Sequence, residues 1–317
     1  MKRFLKSIVV FLVPLLLLGY LFDIVISTNL KKSNLYAEKE FPTWNAIING
    51  KVDSDIVIYG SSRAWVHINP TMIGTGLNTS VYNLGIDGHG FRLQNVRHKM
   101  LLKYNRKPKL IIHSVDIFTL AKDESYYNYD QFLPYMLYND DIENATDNYS
   151  GFTLSDYKLP LLRYYGKPRA IRIAFEIVTK PENNTIQRIR GYKGQERVWN
   201  ADFDKTKASM KSYKVTLDPE VIRLFDNYLK ECKANDIRII LVYTPEFIEG
   251  QKFIENRKEI IAIYTQLSKK YNIPFYDFSN DPLSSDKKYF YNALHLNKTG
   301  AELFTKELIA LLSANGY

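Results

Sequence analysis

The sequence predicts an α/β protein with a doubly wound, mostly parallel sheet, one large insertion and an N-terminal membrane helix. Two observations predict the sheet. Short β-branched apolar runs alternate with stretches of helical spacing, and this rhythm appears both before residue 121 and after residue 215. A third observation, a basic then strongly apolar start, predicts the membrane helix. At 317 residues, 45% hydrophobic and 24% charged, the chain has material for a real core.

The chain opens MKRFLKSIVVFLVPLLLLGYLFDIVIS. Lys2, Arg3 and Lys6 precede an apolar stretch from about Ile8 to Ile26, near the roughly 20 residues that span a bilayer. Asp23 is its only charge, near the outer end and within reach of the interface, and Pro14 is tolerated in such helices. Basic residues before the segment predict the N-terminus inside and all that follows outside the cytoplasm. Two readings fit: an uncleaved single-pass anchor in the cell membrane, or a cleaved signal peptide that leaves a secreted protein. The long apolar run and the poor cleavage context Val25-Ile26-Ser27-Thr28 favour the anchor. Residues 1–30 are read as this segment, 31–52 as a polar connector and 53–317 as the α/β domain.

Within the domain, DIVIYG (55–60) is a buried strand ending in a Gly-Ser-Ser turn, and SVYNLGID (80–87) is a second strand. FRLQNVRHKMLLKYN (91–105) has helical spacing, and KLIIHSVDIF (109–118) is a third strand, so the first unit is strand, helix, strand. Residues 121–215 lack a clear period and include the Tyr-dense run 126–138, read as a glycan-binding platform or the insertion's own small core. The pattern then resumes: helix 218–235, strand 237–247, helix 253–272, strand 273–279 and a closing helix 295–314.

Composition narrows the function. The net charge is +9, yet its 43 Lys and Arg residues are scattered without a dense block, which disfavours nucleic acid. The single cysteine, Cys232, excludes an intrachain disulfide and lies in a helical stretch as a packed residue. His67, His89, His98 and His113 show no metal-ligand spacing, and Gly85, Gly88 and Gly90 lack a full phosphate-loop pattern. No metal or cofactor is expected. The 24 tyrosines suit a surface that touches sugars, or reflect compositional bias.

Two sites carry chemistry. Ser61 and Ser62 follow Gly60 at the carboxyl end of the first strand, where open α/β sheets bind ligands. His295 follows a loop near the chain's end, and a serine becomes a nucleophile when a histidine stands within hydrogen-bond reach.

These blocks resemble those of the SGNH/GDSL hydrolases. IVIYGSSRA is similar to the family's first block and puts its nucleophile on Ser62, with Ser61 at the position of its Asp. NLGIDGHG (83–90) puts the oxyanion-hole glycine on Gly88, beside the Ser62 N–H. NALHLNKTGAELF (292–304) puts the base on His295, and its HLN-x-x-G-A continuation resembles envelope members related to the DltD and alginate O-acetylation proteins. The resemblance covers 53–118 and 273–314. It implies a flavodoxin-like three-layer sandwich of the SGNH hydrolase type and a serine esterase or O-acyltransferase, acetyl by analogy. The implied substrate is an ester-bearing envelope polysaccharide, with a multi-pass membrane acyltransferase as a possible partner.

Two positions depart from the family pattern. HSVD (113–116) places Val115 where the family has an oxyanion-hole Asn, and loss of one such donor costs about 10²–10³ in rate. Ser114, Asp116 or a residue of the insertion is a candidate replacement. Asn292 stands where the family has Asp and can still orient His295 by accepting its N–H. Asp277 is a candidate substitute acid or a capping residue, and Arg63 either pairs with an anionic substrate or solvates the turn. These departures motivate the alternative of a degenerate glycan-binding or scaffold protein on the same fold. A lipid-directed lipase or thioesterase is a third reading, and it requires an apolar acyl groove.

Overall fold

A computed structural model of the chain describes residues 2–122, 127–147, 149–180 and 188–317. The chain divides into two compact units, Ala46–Ser125 with Arg188–Tyr317, and Met1–Asn45 with Tyr126–Gln187. The division falls inside the stretch read as a connector, and again inside the expected insertion.

The larger unit starts with β1 (Ile56–Gly60), α1 (Ser62–His67), α2 (Pro70–Gly76), β2 (Val81–Asn83), α3 (Phe91–Tyr104) and β3 (Leu110–Val115). It resumes with α4 (Asp202–Ser209), α5 (Pro219–Ala234), β4 (Arg238–Tyr243), α6 (Ile248–Phe253), α7 (Arg257–Tyr271) and β5 (Phe275–Asp277). An antiparallel pair, β6 (Phe290–Asn292) and β7 (His295–Leu296), leads into α8 (Lys298–Ala314). The main sheet is wholly parallel in the order β2-β1-β3-β4-β5. This is the flavodoxin-like order, whose ligand crevice opens where the winding reverses, between β1 and β3.

The strands read as continuous apolar runs because helices cover both faces of the sheet. Ile58, Ile112 and Ile240 stand in one register row and pack with Phe304 and Leu308 of α8. Alternate residues point the other way. Tyr59 meets His98 of α3 edge-on at 5.6 Å, and His113 meets Tyr228 of α5 at 5.4 Å. Cys232 is buried within α5, as its helical context predicts.

Three element boundaries differ from the sequence reading. β2 is only three residues long, although the Leu84 and Ile86 N–H groups still donate to Ile58 and Gly60 carbonyls. The helix expected over 253–272 is present as α7 but starts only at Arg257, after Phe253 and Glu255 pair with the backbone of Tyr213, and the short α6 before it was not expected. The last helix starts at Lys298, not at His295, since Asn297 caps it by accepting the Gly300 N–H at 3.1 Å.

In the smaller unit the N-terminal helix runs Lys2–Leu30, long and apolar enough to cross a membrane. Asp23 does not reach outward for an interface. It is buried against Arg163, whose guanidinium donates to both carboxylate oxygens at 2.8 and 2.6 Å. Phe41 and Trp44 are fully buried, and the Trp44 indole donates to Gln131 at 2.7 Å, so this part of the 31–52 stretch is packed and not an exposed tether. Tyr129, Phe132 and Tyr135 are core residues, whereas Tyr138 is exposed. Residues 123–126, 148 and 181–187 of the expected insertion, including Tyr126 of the Tyr-dense run, lie outside the described residues.

Candidate active site

Gly60 ends β1 at φ +142°, and a Cβ there would meet the Ser114 carbonyl oxygen and the Ala64 methyl well inside contact distance. Only glycine permits this sharp exit from strand to helix. Ser61 then caps α1, its Oγ accepting the Arg63 N–H and donating to the Asp116 carboxylate at 2.5 Å. Ser62 becomes the first residue of α1, half-buried, with its hydroxyl directed into the crevice beyond β1.

His295 reaches the same place from β7. The Ser62 hydroxyl lies 2.8 Å from His295 Nε2. On the opposite side of the ring, Nδ1 lies 3.0 Å from Asn292 Oδ1, which also accepts the Leu294 and His295 N–H groups at 3.0 and 2.9 Å. An amide oxygen only accepts, so Nδ1 carries the proton and Nε2 is left to accept from Ser62. Tyr291 stacks on the ring at 5.3 Å and 7° between planes, fixing its orientation. Burial, with Arg63 and Arg197 nearby, lowers the His295 pKa to about 3, so the ring is neutral at ordinary pH.

Gly88, at φ +71°, borders a cavity of about 360 Å³ together with Ser62 and His295. The Ser62 and Gly88 N–H groups have no partner among the described residues. Val115 is buried in β3 and brings no donor. Nor do the candidate replacements. Ser114 is fully buried beneath Gly60, and the Asp116 carboxylate accepts from Ser61, Phe118 N–H and Thr119 N–H.

Two further candidates have other duties. Arg63 neither solvates the turn nor stands free for an anion: it is buried, ion-paired with Glu246 at 2.9 Å and bonded to Thr244. Asp277 is exposed and bonds the N–H and hydroxyl of Ser279, while Asn292 holds the His295 ring. The sequence reading missed His67, Thr244, Glu246 and Tyr291. The TPE tripeptide just beyond the carboxyl end of a central parallel strand was a signal for two of them, since that end faces the crevice. Among the described residues no cluster of His, Cys, Asp and Glu is fit to hold a metal.

Comparison with protein-family models and with curated proteins finds no match. Solved structures do align over most of the chain. A Streptococcus pneumoniae protein provisionally assigned as a platelet activating factor is 13% identical at TM-score 0.45, covering 97% of this chain and 99% of that one. A GDSL-like lipase from Bacteroides thetaiotaomicron is 14% identical at TM-score 0.38, covering 86% and 97%. The acetyl xylan esterase AlAXEase is 11% identical at TM-score 0.40, covering 81% and 99%. At such values the functional reading rests on the geometry of the site itself.

Proposed function

We propose that this chain is a serine esterase or O-acyltransferase of the SGNH type, acting outside the cytoplasm and anchored by its N-terminal helix. The observation that carries the reading is the line Ser62–His295–Asn292, with both contacts within hydrogen-bond distance. Ser62 Oγ attacks an ester carbonyl while His295 Nε2 takes its proton. The carbonyl oxygen, now negative, lies between the Ser62 and Gly88 N–H groups. Collapse expels the alcohol, which takes the proton back from His295, and leaves an acyl-Ser62. A water or a sugar hydroxyl then attacks that ester, again losing its proton to His295, and Ser62 is restored. Water makes the protein an esterase; a sugar hydroxyl makes it a transferase. An envelope polysaccharide is the proposed alcohol side, supported by the segment order around the N-terminal helix and by the block resemblance, and a multi-pass membrane acyltransferase is a fitting donor.

The test is mass spectrometry of the full chain in detergent after exposure to a fluorophosphonate. The expected result is an adduct on Ser62 that disappears in His295→Ala. Absence of any adduct would favour the second reading, a glycan-binding or scaffold protein, which Val115 in place of a donor supports.

A further inference from the structure

Phe118, Tyr213 and Leu294 border the Ser62 cavity and also a second cavity of about 380 Å³. The second cavity has a different character. Phe203 and Ile254 form a buried floor, and Phe118, Met210 and Tyr213 stand at the rim with 37%, 43% and 40% of their surface exposed. Large apolar side chains left exposed around one concavity mark a binding site. One wall is α4 and another α6, tied by the Lys207–Glu249 ion pair at 3.1 Å, and the Tyr213 N–H donates to the Phe253 carbonyl at 2.9 Å. The 292–294 segment that leads into His295 completes the lining.

Most polar groups here are already engaged, the Tyr213 hydroxyl and the Asn292 amide NH₂ being exceptions among the described residues. The Thr206 hydroxyl donates to the Asp202 carbonyl at 2.9 Å, the Asp202 carboxylate holds the Asn200 amide, and Asn292 Oδ1 accepts three N–H donors. A sugar would leave most of its hydroxyls unsatisfied in such a place, whereas a hydrocarbon is matched by Phe118, Phe203, Phe253 and Ile254.

We propose that the second cavity is an acyl-chain subsite and that the protein prefers a medium-length apolar acyl group over acetyl. This rests on the acyl-enzyme reading above, because the subsite matters only when Ser62 holds the carbonyl at its mouth. The preference replaces the acetyl group implied by resemblance, and it supplies the groove that a lipid-directed reading requires.

The experiment measures kcat/KM of the full chain in detergent for p-nitrophenyl esters from acetate to dodecanoate, which hold the alcohol constant. Burial of each methylene predicts about a fourfold gain, so hexanoyl, with four more methylenes, should exceed acetyl by roughly 250-fold. Thr206→Trp, which fills the groove from its α4 wall, should lower the hexanoyl-to-acetyl ratio at least about tenfold. Met210→Asp, at an exposed position that folding tolerates, should lower it in the same direction. A flat or falling chain-length series in the wild type, or a ratio unmoved in both variants, would overturn the subsite while leaving the hydrolase intact. No turnover of any ester, together with no fluorophosphonate adduct on Ser62, would overturn the acyl-enzyme reading and the subsite with it.

Discussion

The Leu296 N–H donates to His67 Nε2 at 2.9 Å, joining the helix that begins with Ser62 to the short strand that carries His295. His67 is fully buried, and its Nδ1 lies 2.8 Å from the Thr244 hydroxyl, which also receives the Arg63 guanidinium. Nucleophile and base are therefore held through one buried network, although they are 233 positions apart in sequence. His67 meets the His295 ring edge-on at 6.0 Å between centroids and acts as a positioning residue. His67→Phe keeps the ring volume but removes both bonds. It should lower kcat about 10–10²-fold with KM little changed, the signature of lost alignment. His67→Gln, which can restore an acceptor for Leu296, should recover part of that loss. A kcat loss that vanishes when rates are referred to fluorophosphonate-titrated active sites would assign His67 to stability alone.

Asn292 gives the second prediction. Its Oδ1 takes three donors, while its amide NH₂ makes no bond among the described residues, so a carboxylate fits the same place without losing a contact. An anion 3.0 Å from the ring stabilises the imidazolium, which now faces Arg63 and Arg197 with no counter-ion. Asn292→Asp should raise the His295 pKa by about 1–3 units and move the acid limb of kcat/KM upward by the same amount. Neutral-pH kcat/KM should rise about tenfold or more, since the reverse change in serine proteases costs about 10⁴. An acid limb that stays in place would count against His295 as the base.

Buried imidazoles also set the acid stability. Burial lowers the pKa of His98 to about 4 and those of His113 and His295 to about 3, and it lowers that of His67 as well. An unfolded chain binds these protons near pH 6.5, while the folded chain refuses them, so stability falls as pH drops below about 6.5. Each group contributes about 1.4 kcal/mol per pH unit until its folded pKa is reached. His98, whose two ring nitrogens lack partners among the described residues, is the clean test. His98→Phe should remove about 2 kcal/mol of the destabilisation between pH 6.5 and 5, read from denaturant midpoints. An unchanged pH slope would mean that His98 is charged or exposed.

What was legible in the sequence follows from what is local. IVIYG, LIIHSV and RIILVY announce buried parallel strands because both faces need apolar residues, and Gly-Ser-Ser at the end of the first announces a sharp turn. Ser62, Gly88 and His295 could be named from sequence because each lies in a short block resembling a known one, and the structure brings the three to one cavity. The partners of Arg63 were not legible: Glu246 lies 183 positions away, and a buried ion pair looks in sequence like two surface charges. The apolar groove was hidden for the same reason. Phe118, Phe203 and Ile254 come from three separate segments with no shared period.

Asp23 and Arg163 supply the last prediction. The pair is almost wholly buried, with side-chain exposures of 2% and 1%, and Ser27 and the Leu161 N–H complete the carboxylate's partners. A carboxylate inside an apolar helix is costly unless neutralised, and the bidentate guanidinium neutralises it within the smaller unit. Removing one partner leaves an uncompensated buried charge, a loss of about 3–5 kcal/mol. Arg163→Met should therefore loosen the packing of residues 149–180 and speed their cleavage by protease in detergent-solubilised full chain. Asp23→Asn with Arg163→Met, which removes both charges, should restore much of the resistance, because the cost lies in the orphaned carboxylate and not in the absence of the bond. Equal protease sensitivity of the single and double variants would show that the geometry of the pair, and not its charge balance, holds this unit together.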